Sequence, residues 1–365
     1  MKRIISLFLA CAALFSLTGC KKYKPVKSTD RESAPVITMT YGGKKYEANY
    51  ELFRMLLLSA KETVSGNDPN KFEGSEGAAL LEEAKAIAID KIYDIYSVFA
   101  LCDALDIDLH SRKVNKEIEE SITVSIEGGY GADGQPVTGL GSYEAYLENL
   151  SLFYMNYAVQ DLMLRYSYGV SAISAYYRGT SDEYGNVKQD GKLSYTKEDV
   201  TAYYNSEDTR RILFVFTTLG ETEAAALRDA IAALPSESAV SDYMLGHSTA
   251  SEADAKDGMV IGKYSLDNAL YSKITDAAFS LAVGETSGPI ECIHMDTKGH
   301  FILYRAEKSP KNLEEAFESV ETFYVENEIG KRYAEAKQAL QSSAAFTAFF
   351  DSLVLKDIHM EEEKK

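Results

Sequence analysis

The segment that closes the chain constrains its fold more than any other. From Leu313 to Leu355 the sequence is almost unbroken amphipathic helix, with Phe317, Val320, Phe323, Tyr324, Ile329, Tyr333, Leu340, Phe346 and Phe349 along it. An apolar stripe of that length must be covered by another element. The stretch before it is too small to do so. Arg211 to Thr217 (RILFVFT) is a β-rich run, followed by helical patterns over Thr222–Leu234, Ala239–Leu245 and Asp267–Leu281 and a last strand over His300–Arg305. That order, helices between two strands, makes a compact α+β unit of about 100 residues. The helical first half of the chain is the available cover, so the chain is expected to leave a helical domain, pass through an α+β insert and return. Its 365 residues suffice for two modest domains.

The first half reads as follows. Val36–Thr40 and Lys45–Ala48 form short strands around a Gly42-Gly43 turn. Asn49 caps a helix over Tyr50–Thr63, in which Leu52, Phe53, Leu56 and Leu57 keep helical spacing. Helices are expected over Ala78–Leu105, with Ile87, Ile92, Ile95, Tyr96, Phe99 and Cys102 near one side, from Ser111 to Glu127, and over Tyr143–Arg178. Between them Glu127–Ser142 (EGGYGADGQPVTGLGS) is glycine-rich, but it lacks the strand-to-helix context and the lysine of a phosphate cradle. A short helix to Asn205 opens at Tyr195-Thr196-Lys197-Glu198. The expected boundaries are 1–19 for a leader, 20–35 for a flexible tether, 36–207 for the helical domain and 208–308 for the insert. Residues 309–355 are the returning helix and 356–365 a charged tail.

The leader starts with Lys2 and Arg3, is nearly free of polar residues from Ile4 to Leu17, and reaches Leu17-Thr18-Gly19-Cys20. A basic start, a short apolar run and small residues before a cut site are the pattern of a secretory signal peptide. The run is shorter than the roughly 20 residues that span a bilayer. Its last four residues resemble the bacterial lipobox, in which a cysteine receives a diacylglycerol before cleavage. That resemblance implies lipidation at Cys20 and a body anchored to the cell membrane on its extracytoplasmic face. Two acyl chains hold stably, because each buried methylene contributes about 0.8 kcal/mol.

The net charge is −18, and cleavage removes Lys2 and Arg3 as well. Binding to nucleic acid needs Lys and Arg to neutralise phosphates, so this balance opposes it. The hydrophobic share of 45% and charged share of 26% are those of a soluble globular chain. Cys102 and Cys292 are too few and too distant to make a disulfide framework. His110, His247, His294, His300 and His359 have no metal-ligand spacing, and no Walker A, GxGxxG or GxSxG pattern is present. No cofactor or metal is expected.

Three segments share one likeness. Asp90–Ile118 (DKIYDIYSVFALCDALDIDLHSRKVNKEI) resembles the second helix, turn and third helix of the SurA-type chaperone domain. Leu193–Phe216 (LSYTKEDVTAYYNSEDTRRILFVF) resembles the exit of that domain into the first strand of a parvulin. Asp276–Glu291 (DAAFSLAVGETSGPIE) and Gly299–Lys308 (GHFILYRAEK) resemble the parvulin turn and final strand. Over about residues 36–355 the chain is similar to extracytoplasmic foldase lipoproteins of the PrsA kind. The implied fold is α+β: a helical SurA-like domain built from N- and C-terminal segments, with an inserted parvulin-like domain. The implied partners are unfolded or partly folded exported polypeptides, with the membrane reached through the lipid.

Parvulins are peptidyl-prolyl isomerases. Such an enzyme lowers a barrier of about 18–20 kcal/mol by weakening amide resonance. It needs an apolar slot for the proline ring and a polar floor for the rotating carbonyl. In the family that floor comes from two facing histidines, a Cys or Asp, and a glycine-rich loop. Here Arg211 stands at the first histidine and Phe301 at the second, with His300 one place early and so on the opposite side of its strand. Residues Thr249–Glu252, around Ser251, stand nearest the Cys or Asp, and Gly258–Tyr264 (GMVIGKY) keeps only the ends of the glycine loop. Leu270, Ile274 and Phe279 fall at the proline slot, where plain core packing is the competing role. The resulting expectation is an anchored chaperone with a weak or inactive isomerase unit. The alternatives are an active peptidyl-prolyl isomerase, and a solute-binding lipoprotein, which would need alternating βαβ units.

Overall fold

The computed structural model describes Tyr23 and residues 26–73, 76–130, 136–181, 187–248, 258–263, 269–294 and 297–358. The leader, Cys20 and Ser251 lie outside the described residues. Helices and antiparallel sheets are combined, and the chain divides into two compact units: Met1–Tyr176 with Arg332–Lys365, and Tyr177–Lys331.

The first unit opens on a hairpin of β1 (Pro35–Tyr41) and β2 (Lys44–Asn49), in register through Met39↔Tyr46 and Thr40↔Lys45. Gly42 and Gly43 turn it at φ of 56° and 80°, left-handed values that carry no Cβ penalty in glycine. The Asn49 side chain accepts from the Leu52 N–H and starts α1 (Tyr50–Ser65). Then come α2 (Gly77–Ala104), α3 (Arg112–Glu127), α4 (Tyr143–Ser151) and α5 (Tyr157–Arg178). Ser111 and Ser142 cap α3 and α4 through Val114 and Ala145.

In the second unit α6 (Lys197–Asn205) begins with a reciprocal Thr196–Asp199 capping box. After it come β3 (Thr209–Thr217), α7 (Glu221–Ala232), α8 (Glu237–His247), β4 (Met259–Gly262), α9 (Ala269–Ser280), β5 (Ile290–His294) and β6 (Thr297–Ala306). The four strands pair antiparallel in the order β4-β3-β6-β5. Both faces are covered, and side-chain alternation sorts each strand between them. Ile212, Phe214, Phe216, Phe301 and Leu303 pack with Ile274, Ala278 and Leu281 from α9 and its end. On the other face Leu213, Val215, Ile302 and Ala306 pack with Leu227 and Ile231 of α7 and Val240 and Met244 of α8.

The chain returns through α10 (Pro310–Glu315), α11 (Phe317–Ser343), β7 (Ala345–Phe346) and α12 (Ala348–Asp351). Sequence periodicity predicts one helix to Leu355, but α11 ends at Ser343. Side-chain hydroxyls supply the backbone with other partners there. Ser343 Oγ accepts from Thr40 N at 2.8 Å and donates to Thr40 O at 2.9 Å. Thr347 Oγ1 donates to Pro35 O at 2.7 Å and caps α12. The freed segment β7 pairs with β1 at Ile37↔Phe346 and Thr38↔Ala345. Leu340, Phe350 and Ile358 thereby join the core of the first unit beside Phe53, Leu57 and Leu58. No described helix is long and apolar enough to cross a membrane.

Candidate functional site

The sheet face under α9 is where the sequence places a proline slot and its floor. Phe301 is 5% exposed, and its ring lies 5.8 Å from that of Phe214 and 5.1 Å from that of Phe216. Ile274 is buried against the same aromatic residues. Phe279 is half-buried, with the Arg210 guanidinium 4.5 Å from its ring centre. Leu270 lies in the first turn of α9. Around Phe301 the face is packed with aromatic carbon where an isomerase needs hydrogen-bonding groups.

Arg211 is not part of that face. Its guanidinium lies 7% exposed on the side of α7 and α8. There Nη1 donates to Glu237 Oε1 at 2.5 Å and to Glu307 O at 3.0 Å. Arg211 and Phe301, equated with two histidines that face each other, therefore lie on opposite faces of the sheet. His300 also falls on the α7 side, as alternation requires. Its Nδ1 is 3.1 Å from Leu219 O, and it lines a groove of about 520 Å3 with Glu221, Pro289 and Glu291. His247 stacks on Tyr243 at 4.1 Å and contacts its carbonyl at 2.8 Å.

Arg210, the neighbour of Arg211, is the residue that reaches the α9 face. Its side chain is 8% exposed, and Nη1 donates to Glu207 O at 2.8 Å and Thr209 O at 2.9 Å. Arg305 enters the same face from β6 and donates through Nη1 to Leu281 O at 2.6 Å, at the end of α9. The Glu207 carboxylate lies 2.9 Å from Arg210 Nη2 and 3.9 Å from Arg305 Nη2. Lys308 completes the cluster, donating to Ser206 O at 2.7 Å with its ammonium over the Tyr204 ring. Burial, then the charges of Arg210 and Arg305 outweighing those of Glu207 and Asp208, bring the Lys308 amine down to about 8. Burial and the Arg210 charge also lower the Arg305 pKa. The only trace of this cluster in the sequence is the Arg210-Arg211 doublet, which must send one arginine to each face.

No protein-family model matches the chain, and no curated protein matches it. Solved structures that are similar to it include PrsA foldases. The foldase protein PrsA from Streptococcus pneumoniae str. Canada MDR_19A is 14% identical over 73% of this chain and 88% of its own, with a TM-score of 0.27. PrsA from Bacillus subtilis is 15% identical over 77% and 93%, with a TM-score of 0.25. The foldase protein PrsA from Lactococcus lactis is 15% identical over 90% and 100%, with a TM-score of 0.23. Likeness at this level assigns no activity to the present chain.

Cys102 and Cys292 are free thiols. Burial raises the Cys102 thiol to about 12, so it is an inert apolar filler rather than a nucleophile. Among the described residues no group of His, Cys, Asp and Glu could hold a metal ion.

Proposed function

We propose that this protein is a lipid-anchored extracytoplasmic chaperone of the foldase type, whose parvulin-like unit binds polypeptide without isomerising it. The packed α9 face carries this reading. An isomerase must offer the twisting amide hydrogen bonds that are stronger in the transition state than in the ground state. Phe214, Phe216 and Phe301 offer none, and Arg211 is directed away from them. Support for the chaperone half comes from the lipobox-like Leu17–Cys20, the parvulin-like and SurA-like sequence segments, and a helical unit assembled from both ends of the chain.

The test pairs two assays on the mature chain. One follows aggregation of a chemically unfolded client protein, the other cis-to-trans conversion of a proline peptide. Suppressed aggregation with no acceleration of isomerisation is expected. Turnover that disappears in an Ile274→Ala variant would show a working slot and overturn the reading. Labelling with radioactive palmitate, lost in Cys20→Ser, tests the anchor.

A further inference from the structure

Two arginines converge on the α9 face, although the chain as a whole is strongly acidic. Each is fixed by backbone carbonyls, Arg210 through Nη1 to residues 207 and 209 and Arg305 through Nη1 to residue 281. Their Nη2 groups are thus held in place and share one anion, Glu207 Oε2. The two sides of this contact differ sharply. The arginine side chains are 8% and 17% exposed, whereas the Glu207 side chain is 86% exposed. A carboxylate so open to water is easily exchanged, while the buried guanidinium groups stay where they are.

The contact is also incomplete. The Nε and Nη2 hydrogens of a guanidinium lie along one edge and fit the two oxygens of a carboxylate. Glu207 engages Nη2, and the buried Arg210 Nε has no hydrogen-bond partner among the described residues. A carboxylate seated squarely on that edge would satisfy both.

We propose that Arg210 and Arg305 form a cradle for an acidic side chain of an extended polypeptide, occupied at rest by the chain's own Glu207. The proposal rests on the peptide-binding reading above and names the kind of peptide bound. A tethered Glu207 competes at an effective concentration of about millimolar, so a free small anion displaces it poorly. A polypeptide adds contacts that a small anion lacks. Phe279, half-buried under Arg210, places apolar surface beside the cradle for a neighbouring residue. At physiological salt the screening length is about 8 Å, so the distant negative charge of the chain does not cancel two cations at contact range.

The experiment measures fluorescence anisotropy of two labelled, C-terminally amidated peptides on the mature chain. One carries a single Glu between leucines, and the other carries Gln in its place. The Glu peptide is expected to bind more tightly. Glu207→Gln, which removes the resident carboxylate, should tighten the Glu peptide by about threefold to tenfold and leave the Gln peptide unchanged. Arg305→Gln, which spares the backbone bonds of Arg210, should abolish the preference without changing the melting temperature by more than a few degrees. Equal binding of the two peptides, binding of neither, or a preference untouched by Glu207→Gln overturns the cradle. Aggregation suppression is scored separately: equal binding with suppression intact removes the cradle alone, and a Glu preference without suppression supports the cradle while removing the chaperone reading.

Discussion

Lys61 is 2% exposed, on a helix face otherwise made of Leu57, Leu58 and Ala60. Its ammonium donates to Leu355 O at 2.8 Å and Ile358 O at 2.6 Å, tying the last described residues of the chain onto α1. Burial brings its pKa down from 10.5 to about 8, against the pull of Asp357. The unfolded chain therefore holds more protons than the folded one between pH 8 and 10.5, and the Lys61 contribution to stability rises with pH across that window. Below pH 8 both states are charged and the burial cost is constant. Urea denaturation of wild type and Lys61→Met at pH 7 and pH 10 should show the stability difference moving in favour of wild type at the higher pH. A difference independent of pH would mean that the lysine is charged throughout. The Arg210-Arg211 doublet shows where residue-level reading ends. Alternation dictates that one arginine faces α9 and the other α8. The run after them, Ile212 to Phe216, is apolar in both phases because both faces of the sheet are covered. Nothing in such a run fixes the phase, and likeness to a histidine position selected the arginine on the other face.

At the scale of elements, most boundaries are legible because local chemistry marks them. Asn49, Ser111, Ser142 and Thr196 each cap a helix where the sequence places its start. The end of α11 is not legible. Phe346 and Phe349 keep a helix-like spacing, and the strand β7 exists only because β1, about 300 residues earlier, offers an edge. Strand β6 shows the converse, a local requirement set by a distant ring. Gly299 is buried one place before His300, the residue paired with Thr217, and a Cβ there would stand 2.4 Å from Thr217 O and 2.7 Å from Phe216 Cζ. A methyl group must push the β3 backbone or turn a core aromatic out of place. Gly299→Ala is expected to destabilise the second unit by about 1–3 kcal/mol, read from denaturant unfolding. An unchanged midpoint would show that Phe216 moves freely, and would reopen the α9 face as a site with room in it.

The whole molecule is built by a chain that leaves one unit, forms a second and comes back. The returning segment completes the first unit by several independent means. Leu340, Phe350 and Ile358 enter its core, the Phe350 ring meets Phe53 edge-on at 5.2 Å, and β7 completes a three-stranded sheet. Lys337 adds a two-carboxylate clamp onto α2, at 2.8 Å from Asp90 and 2.6 Å from Asp94. Burial works against the Lys337 charge, but the hydrogen bonds and charges of these two aspartates outweigh it and leave the pKa raised. Fully burying one large apolar side chain contributes about 1.5–3 kcal/mol, so losing three such residues removes much of the 5–15 kcal/mol that holds a domain together. The second unit ends at Lys331 and keeps all four strands of its β4-β3-β6-β5 sheet without this segment. A chain stopped after Lys331 should therefore lose the first unit and retain the second. Hydrogen exchange followed by mass spectrometry gives the readout. Amides of α1 and α2 are expected to exchange close to the unfolded rate in the truncated chain, while those of β3 and β6 stay protected as in the full chain. Equal protection of α1 and α2 in the two chains would mean that the N-terminal segment forms its core alone, and the long amphipathic stretch at the C-terminus would then need another reason to exist.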